Sequence, residues 1–326
     1  MSFIKYNGDD SRWNDFCFRH PHTWFRHTSY WQEYLLNSKF DTEFKNHSFF
    51  AEANNTIKAV IPLIQENETL HSPGFPDERE IVKEVIRVAK ENDIKHIKVG
   101  SDIKGFLNTS GHTCIIDPNK ISPTKGHKSA IKKAEKYLSY RVSDTADIEV
   151  FRKYYTNIAK KETRPRRTFE LLGEWIKQGF GLLLEATFEG ETDPYETASG
   201  ASLGYVYVLY WGKRAYYFMS ASPVKYRPYN VTHFLQAKAF EILRKKGVTQ
   251  YELGDQVYNS LHHQPTEKER SISKFKRSFG GEIVVKPSCE YFLDQQYMID
   301  VYADRIYKYW ERERELERGE GERMQE

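Results

Sequence analysis

One stretch in the second half of the chain decides the fold. It contains three strand-like segments, LLLEATF (182–188), ASLGYVYVLYW (201–211) and RAYYFMS (214–220). The segment VTHFLQAKAFEILRKK (231–246) then has helical spacing, and YEL (251–253) returns to a strand pattern. The stretch therefore predicts an antiparallel meander of three strands, followed by a helix and a further strand.

Outward from this stretch, the flanking segments complete a mixed α/β unit. Residues 147–160 and 169–178 carry helical patterns before the meander. Residues 267–278 and 282–285 add a helix and a strand after it. The second half thus has the order helix, helix, three strands, helix, strand, helix, strand.

The first half repeats most of this order without obvious sequence identity. Since 326 residues exceed what one hydrophobic core usually organises, we expect two domains with mixed sheets, 1–145 and 146–295, followed by a C-terminal helix within 296–326. In the first half, helices are predicted at 13–20, 28–36 and 77–91, and strands at 48–53, 57–63, near Leu70, at 96–99 and at 113–116. A basic helix, 126–138, joins the two halves.

Composition excludes several classes of protein. Hydrophobic residues make up 39% of the chain, as in globular proteins, and a net charge of +3 is too small for a general nucleic-acid binder. The three cysteines, Cys17, Cys114 and Cys289, are far apart, so neither a disulfide framework nor a metal site is predicted. No apolar run approaches the roughly 18 residues that span a bilayer. We expect a cytoplasmic protein without a transmembrane segment.

Four segments of the sequence resemble a known family. They are GHKSAIKKA (126–134), YYFMSAS (216–222), YELG (251–254) and ISKFKRSFGG (272–281). In this order and spacing they are similar to the FemAB-type transferases and their BioF2-like relatives. The resemblance implies two tandem GNAT-like domains, which are acetyltransferase-like, and a C-terminal helix that packs on the first domain. It also implies transfer of aminoacyl or other acyl groups in cell-wall or surface-polysaccharide biosynthesis.

Lys276 is the first candidate catalytic residue. Joining an amine to an activated ester or thioester requires stabilisation of the developing oxyanion, and a fixed cation can supply it. Lys276 follows Phe275, and this pair resembles the Phe-Lys pair that the family places beside the acyl donor. The resemblance implies that Phe275 contacts substrate and that Lys276 stabilises charge. The pattern alone favours an amphipathic helix whose solvated face carries Lys274, Lys276 and Arg277.

Asp255 is the second candidate catalytic residue. It ends the strand 251–254, where mixed sheets present groups to a crevice, so it is placed to orient or deprotonate an amine. Glu252 is the rival carboxylate, and either one has an ion pair with a neighbouring cation as its structural alternative. The family resemblance also implies that the substrate's own groups can act as the base. Tyr217 is a candidate substrate-binding residue if it faces the groove.

The loop 227–232, Arg-Pro-Tyr-Asn-Val-Thr, lies where ordinary acetyltransferases bind the CoA pyrophosphate at a helix start. Asn230 and Thr232 fill the two small positions of that pattern, which argues against a standard CoA site. Arg227 remains a phosphate-binding candidate. The corresponding first-half loop, 72–76, also lacks the pattern.

Lys128, Lys132 and Lys136 recur every four residues on one face of the predicted helix. Like charges aligned in this way repel one another. A helix that tolerates the repulsion is predicted to bind an anionic partner, such as a tRNA acceptor arm or a diphosphate carrier. A solvated helix face is the equal alternative. A second basic cluster, with Arg164 as the substrate-binding candidate, contains Arg164, Arg166 and Arg167.

These observations together predict a FemAB-like transferase that moves an aminoacyl or other acyl group onto an amino group of a peptidoglycan precursor or surface-glycan sugar. The co-substrate is aminoacyl-tRNA or acyl-CoA, and no cofactor is permanently bound. The second hypothesis is an acyl-CoA-dependent N-acyltransferase acting on an amino sugar, including a nucleotide-linked one. The third is a non-catalytic protein that keeps the fold to bind a glycan or a nucleotide. The sequence does not indicate the oligomeric state.

Overall fold

Three sheets flanked by helices make up the part of the protein that the structure describes. The computed structural model describes residues 1–190 and 199–323. Its helices are α1 (Asp10–Arg19), α2 (Ser29–Leu36), α3 (Arg79–Glu91), α4 (Lys125–Ala134), α5 (Ile148–Ala159), α6 (Arg166–Lys177), α7 (Val231–Lys245), α8 (Glu267–Arg277) and α9 (Gln295–Arg323). Short 3-10 turns cover Phe25–His27, Thr145–Asp147 and Val224–Tyr229.

The strands belong to both halves of the chain. In chain order they are β1 (Ser2–Lys5), β2 (Phe44–Asn46), β3 (Phe49–Ala53), β4 (Thr56–Ile61), β5 (Ile64–Glu66), β6 (Thr69–Ser72), β7 (His96–Val99), β8 (Leu107–Asn108), β9 (Gly111–Ile116), β10 (Leu138–Ser143), β11 (Gly181–Phe188), β12 (Ser202–Trp211), β13 (Arg214–Ala221), β14 (Gln250–Gln256), β15 (Glu282–Lys286) and β16 (Cys289–Phe292).

The largest sheet has seven strands in the order β10-β11-β12-β13-β14-β9-β15. β11, β12 and β13 form the predicted antiparallel meander. β13 and β14 are parallel, because α7 carries the chain back to the same end of the sheet between them. The prediction of a mixed α/β fold is confirmed.

The second sheet has six strands in the order β2-β5-β6-β7-β16-β8, and β1, β3 and β4 form a third, smaller sheet. β6 and β7 are parallel, and α3 lies between them in the chain. Each half therefore contains one parallel strand pair that is bridged by a helix, which is the repeat that the sequence predicts.

Sheet membership differs from a division of the chain at residue 145. β9 lies before that residue, yet it pairs with both β14 and β15 of the seven-stranded sheet. β16 lies near the end of the chain, yet it pairs with β7 and β8 of the six-stranded sheet. This exchange gives β14 and β7 a second hydrogen-bonding partner each. Without it, one edge of each strand would leave its N–H and C=O groups unpaired.

The basic helix is shorter than predicted. α4 ends at Ala134, and β10 begins at Leu138, where the prediction continued the helix. Pairing of residues 138–143 with β11 overrides the helical spacing of the lysines. Lys136 therefore lies in the turn after α4, and the predicted helical row of three lysines is wrong at this position.

An aromatic core joins the two halves. Phe25 from the first half lies 4.8 Å from Trp175 and 5.9 Å from Trp211 of the second half, measured between ring centroids, and all three are buried. The edge-on geometry of these rings is the arrangement that aromatic quadrupoles favour. The halves thus share one packed interior, which fixes the groove between them.

The C-terminal helix contacts the six-stranded sheet. Arg305 of α9 donates two hydrogen bonds to the carboxylate of Glu290 on β16, at 2.6 and 2.9 Å, and the Tyr302 hydroxyl donates to the same carboxylate. Glu290 is 2% exposed. This buried bidentate ion pair determines which face of α9 is turned towards the sheet. No helix within the described part of the chain is both long and apolar enough to cross a membrane.

Candidate functional site

The parallel pair β13 and β14 opens after three residues. Residues 214–216 lie in register with residues 250–252, and β14 then continues against β9. The register of β14 against β9 shifts between Glu252 and Gly254, and Gly254 has a φ of +95°. This bulge bends β14 and leaves a gap beside Tyr216. The gap is an opening in the backbone of the largest sheet.

Lys276 reaches this gap from the last turn of α8, whose start is fixed by a reciprocal capping box between Thr266 and Glu269. A Cβ atom built on Gly254 would lie 2.9 Å from Lys276 Nζ and 3.7 Å from the Tyr216 hydroxyl. The positive φ favours glycine here, and a side chain at this position would oblige the Lys276 ammonium group to shift.

Burial lowers the pKa of Lys276, while the carboxylates of Asp255 and Glu252 partly oppose that shift. The side chain is half-buried, so the lysine is not part of a solvated helix face. A poorly hydrated cation held beside two carboxylates is the kind of group that stabilises charge developing nearby.

The two candidate carboxylates have different surroundings. Asp255 is exposed and accepts a hydrogen bond from Lys286 Nζ at 2.6 Å. Glu252 lines the cleft between the halves and accepts a hydrogen bond from Thr113 Oγ1 at 2.9 Å. Asp255 therefore forms the ion pair that the sequence offered as the alternative to a catalytic role. Glu252 is the carboxylate that the structure presents to the cleft.

The cleft between the halves has a volume of about 730 Å³. The first half contributes β4, the loops that follow β6 and β7, and β9, which is part of the seven-stranded sheet. The second half contributes Arg214, Glu252 and the end of β15 with the segment that follows it. This volume matches that of small-molecule sites, which lie preferentially between domains. The loop 72–76, which lacks the CoA-binding pattern, forms part of its wall.

Four cations line the cleft, and one of them, Lys286, is paired with Asp255. The Arg26 guanidinium lies 4.5 Å from the ring centroid of Tyr216 and 4.9 Å from that of Trp24, and Lys58 and Arg214 also line the wall. None of these last three has a carboxylate partner within residues 1–190 and 199–323. Glu252 is the one acidic side chain among the described residues of the lining. The cleft therefore attracts anions.

Sequence reasoning missed Tyr216 and Arg26. Adjacent residues on a strand point to opposite faces, so Tyr216 and Tyr217 cannot both face the groove. Tyr217 lies on the face of β13 that packs with α7, and its hydroxyl donates to Ser220 Oγ at 2.5 Å. Tyr216 contacts Arg26 in the cleft wall. The YYF motif contains both tyrosines, but only the structure identifies Tyr216 as the one that lies against Arg26.

Phe275 packs behind Lys276. Its ring centroid lies 5.4 Å from that of His127 on α4 and 4.9 Å from that of His233 on α7. His127 Nε2 also hydrogen-bonds to the Phe275 carbonyl oxygen at 3.1 Å. Burial lowers the pKa of His233 to about 4, so this histidine is neutral at pH 7. The cluster ties α8 to two neighbouring helices and positions the lysine that follows.

The basic residues fall into two groups. Lys128 and Lys132 are exposed on α4, which packs against α7 and against the turn Val224–Tyr229 that carries exposed Arg227. These three cations therefore lie in neighbouring elements close to the start of α7. Arg164 instead donates to the Tyr34 hydroxyl at 2.6 Å, and its guanidinium lies 5.5 Å from the Phe218 ring centroid.

The other arginines of the second basic cluster are paired. Arg166, which begins α6, lies 3.4 Å from Glu170, and Arg167 lies 2.5 Å from Glu33 and 2.7 Å from Glu174. Their charge is thus balanced locally. Within the part of the chain that the structure describes, no three His, Cys, Asp or Glu side chains are grouped to hold a metal ion.

The chain is similar to known proteins in structure and not in sequence. No family model and no curated protein matches the sequence. Among solved structures, FemX is similar over 93% of this chain and 100% of its own, with a TM-score of 0.69 and 14% identity. The C-terminal domain (DUF2156) of a putative lysylphosphatidylglycerol synthetase from Agrobacterium fabrum gives a TM-score of 0.61 and 13% identity, over 91% of this chain and 95% of that one.

A tandem GNAT protein from the clavulanic acid biosynthesis pathway is also similar. It gives a TM-score of 0.50 and 12% identity, over 89% of this chain and 98% of that one. At such identities the likeness concerns the fold. The chain has the tandem GNAT-like fold, and the expectation drawn from its four sequence segments is confirmed at this level.

Proposed function

We propose that this chain, which shares the tandem GNAT-like fold of FemX, is a FemAB-like acyltransferase. It joins an aminoacyl or other acyl group to the amino group of an anionic cell-envelope precursor and forms an amide. The observation that supports this most is the position of Lys276 Nζ against Gly254, inside the opening between β13 and β14.

The chemistry follows from the groups at this opening. The acceptor amine attacks the carbonyl carbon of the donor ester or thioester, so a C–N bond forms and negative charge develops on the carbonyl oxygen. The Lys276 ammonium stabilises that oxyanion in a site with little water. The C–O or C–S bond of the donor then breaks, and the leaving group departs with a proton.

The proton that the acceptor amine releases can pass to a carboxylate on β14, the strand that carries Gly254. Glu252 lies two residues from Gly254, lines the cleft and is held by Thr113 Oγ1. A carboxylate within reach of the amine can take its proton as attack proceeds. We assign this role to Glu252 in place of Asp255, because Lys286 already engages Asp255.

The acceptor is held in the cleft. Arg26, Lys58 and Arg214 line the cleft without carboxylate partners among the described residues, so an acceptor with phosphate or carboxylate groups gains charge-assisted hydrogen bonds there. Trp24, which lies against Arg26 and lines the cleft, adds aromatic surface. Peptidoglycan precursors and nucleotide-linked amino sugars both have this combination of negative charge and a reactive amine.

The donor enters from the opposite side, beside α7. Lys128, Lys132 and Arg227 lie in neighbouring elements there and suit the phosphates of either aminoacyl-tRNA or acyl-CoA. Reversing two charges, Lys128→Glu with Lys132→Glu, should weaken donor binding by about tenfold at low salt and less at high salt. The matched control is Lys83→Glu with Lys90→Glu on α3, both also exposed. Equal donor affinity in the two double variants would remove α4 from the donor site.

One experiment tests the proposed function. The purified protein receives either charged tRNA or acyl-CoA, together with a pooled extract of envelope precursors, and new amides are detected by mass spectrometry. We expect an acceptor-dependent product that is absent with Lys276→Ala. Loss of product after RNase treatment identifies tRNA as the donor, whereas RNase-resistant product with acyl-CoA supports the N-acyltransferase alternative. Binding of precursors without any product from either donor would support a non-catalytic protein.

A further inference from the structure

We propose that α9 is a self-association surface, through which two copies of the chain pair their C-terminal helices antiparallel to one another. This inference is independent of the proposed function. An apolar stripe on α9 is open to solvent. Ile299 is 48% exposed, Ile306 is 46% exposed and Trp310 is 58% exposed, and exposed Ala303 lies between the first two.

The spacing of these four residues, four, three and four positions apart, places them along one face of the helix. The stripe continues over three helical turns. Single exposed apolar residues are ordinary on protein surfaces, but a contiguous row on one helix face marks an interaction surface.

The helix cannot turn this stripe inward. Arg305 and Tyr302, on the adjoining face, are bonded to the buried carboxylate of Glu290 on β16. Rotation of α9 would break the bidentate ion pair and leave a buried charge without a partner, which is a large cost. The stripe is therefore held outward by the same contacts that fix the helix to the six-stranded sheet.

The composition of α9 fits a second copy of itself. In an antiparallel pair centred on Ile306, the two Ile306 side chains meet at the twofold axis. Ala303 then lies opposite the partner's Trp310, so that the small residue accommodates the large one. Asp300 lies near the partner's Arg314, which gives two identical ion pairs per dimer. A membrane is a poor alternative, because Asp300 and Glu311 beside the stripe would repel anionic lipids.

Sedimentation equilibrium of the full chain over a range of concentrations tests the proposal. We expect a monomer–dimer equilibrium in the wild type. Trp310→Ser should raise the dissociation constant by more than about 100-fold, since two large apolar side chains leave the interface at once. The control is Val224→Ser, which removes an equally exposed apolar residue elsewhere. A wild type that stays monomeric throughout, whether or not it binds lipid vesicles, overturns the proposal.

Charge exchange tests the orientation of the helices. Asp300→Arg and Arg314→Asp should each weaken the dimer by about tenfold, since each breaks two ion pairs, and the two together should restore it. Cross-linking tests the register. Ile306→Cys places two thiols at the axis and should form a disulfide-linked dimer on oxidation, because the three native cysteines are buried. Failure of the double variant to recover, or cross-linking no better with Ile306→Cys than with Val224→Cys, contradicts the antiparallel pair.

Discussion

The two halves contain the same unit, a parallel strand pair bridged by a helix, but they end it differently. In the first half, β6 and β7 stay paired along all four residues, 69–72 with 96–99. The pair then closes, since the Gly100 N–H donates to the Ser72 carbonyl oxygen at 2.9 Å. A Cβ atom on Gly100 would lie 2.5 Å from the Pro73 carbonyl oxygen. In the second half, β13 and β14 separate after three residues, and Lys276 occupies the opening.

This difference separates two tasks. The closed pair of the first half presents Ser72, Pro73 and Gly100 as a fixed part of the cleft wall. The open pair of the second half admits a cation into the sheet. We infer that the first half supplies most of the acceptor-binding wall and that the second half performs the chemistry.

Replacing Lys276 should impair catalysis by the second half and leave the first half unchanged. Lys276→Ala should lower turnover by about 100-fold to 1000-fold while leaving the fold in place, because it removes the cation that stabilises the oxyanion. Lys274→Ala on the same helix is the control, since it removes an equal charge from an exposed position. Steady-state assays with the true donor and acceptor would compare the two. Similar turnover in both variants would show that the opening has no catalytic role.

Arg305→Ala should break the first half instead. It leaves the Glu290 carboxylate buried without its cation and should lower the free energy of unfolding by about 3 kcal/mol. Lys308→Ala on the same helix breaks only an exposed ion pair with Asp304 and should cost less than about 1 kcal/mol. Urea unfolding curves would measure both. A small and equal effect would mean that α9 does not stabilise the first sheet.

Acid should loosen the junction of the halves. His27 is buried in the aromatic core, and burial lowers its pKa to about 4. The unfolded chain binds a proton near pH 6.5, so stability from the neutral imidazole is present above that pH and is lost as the pH falls towards 4. Between pH 7 and 5 this loss should be about 2 kcal/mol. His27→Gln should reduce it and the exposed control His22→Gln should not. Equal pH dependence in both would contradict the assignment.

Replacing Gly254 tests whether the bulge contributes to turnover, and its expected effect is smaller than that of replacing Lys276. Gly254→Ala places a methyl group 2.9 Å from Lys276 Nζ, which must then shift, and should lower turnover by about tenfold, in addition to a backbone strain of about 1–2 kcal/mol. Gly105→Ala has similar strain, at a φ of +87°, but its Cβ would meet no atom within 4 Å. Both should lower stability, and only Gly254→Ala should lower turnover. Equal turnover in the two glycine variants would show that the bulge does not contribute to catalysis.

The sequence predicted the parts of the fold that rest on local periodicity. The meander of β11, β12 and β13 and the crossover helix α7 were predicted within two residues, because alternation and helical spacing are each encoded locally. The exchange of β9 and β16 between the sheets was not. Which distant edge a short strand completes depends on tertiary pairing, and its own residues carry no sign of the partner.

The candidate site was predicted unevenly for the same reason. Lys276 was selected through a family resemblance, whereas its pattern favoured a solvated face. Its burial depends on a bulge at Gly254 that only the pairing with β9 produces. Asp255 and Glu252 were both candidates, and the ion pair to Lys286, thirty-one residues further along the chain, separates them. Arg26 belongs to the other half, so no local pattern could join it to Tyr216.

A double-mutant cycle on turnover shows whether the opening in the second half acts by holding Lys276 beside Gly254. Turnover is measured for wild type, Gly254→Ala, Lys276→Ala and the double variant, with folding checked by circular dichroism. We expect Gly254→Ala to lower turnover about tenfold when Lys276 is present and to lower it no further once Lys276 is absent, since the two residues act as one unit. Independent effects that multiply in the double variant would contradict it.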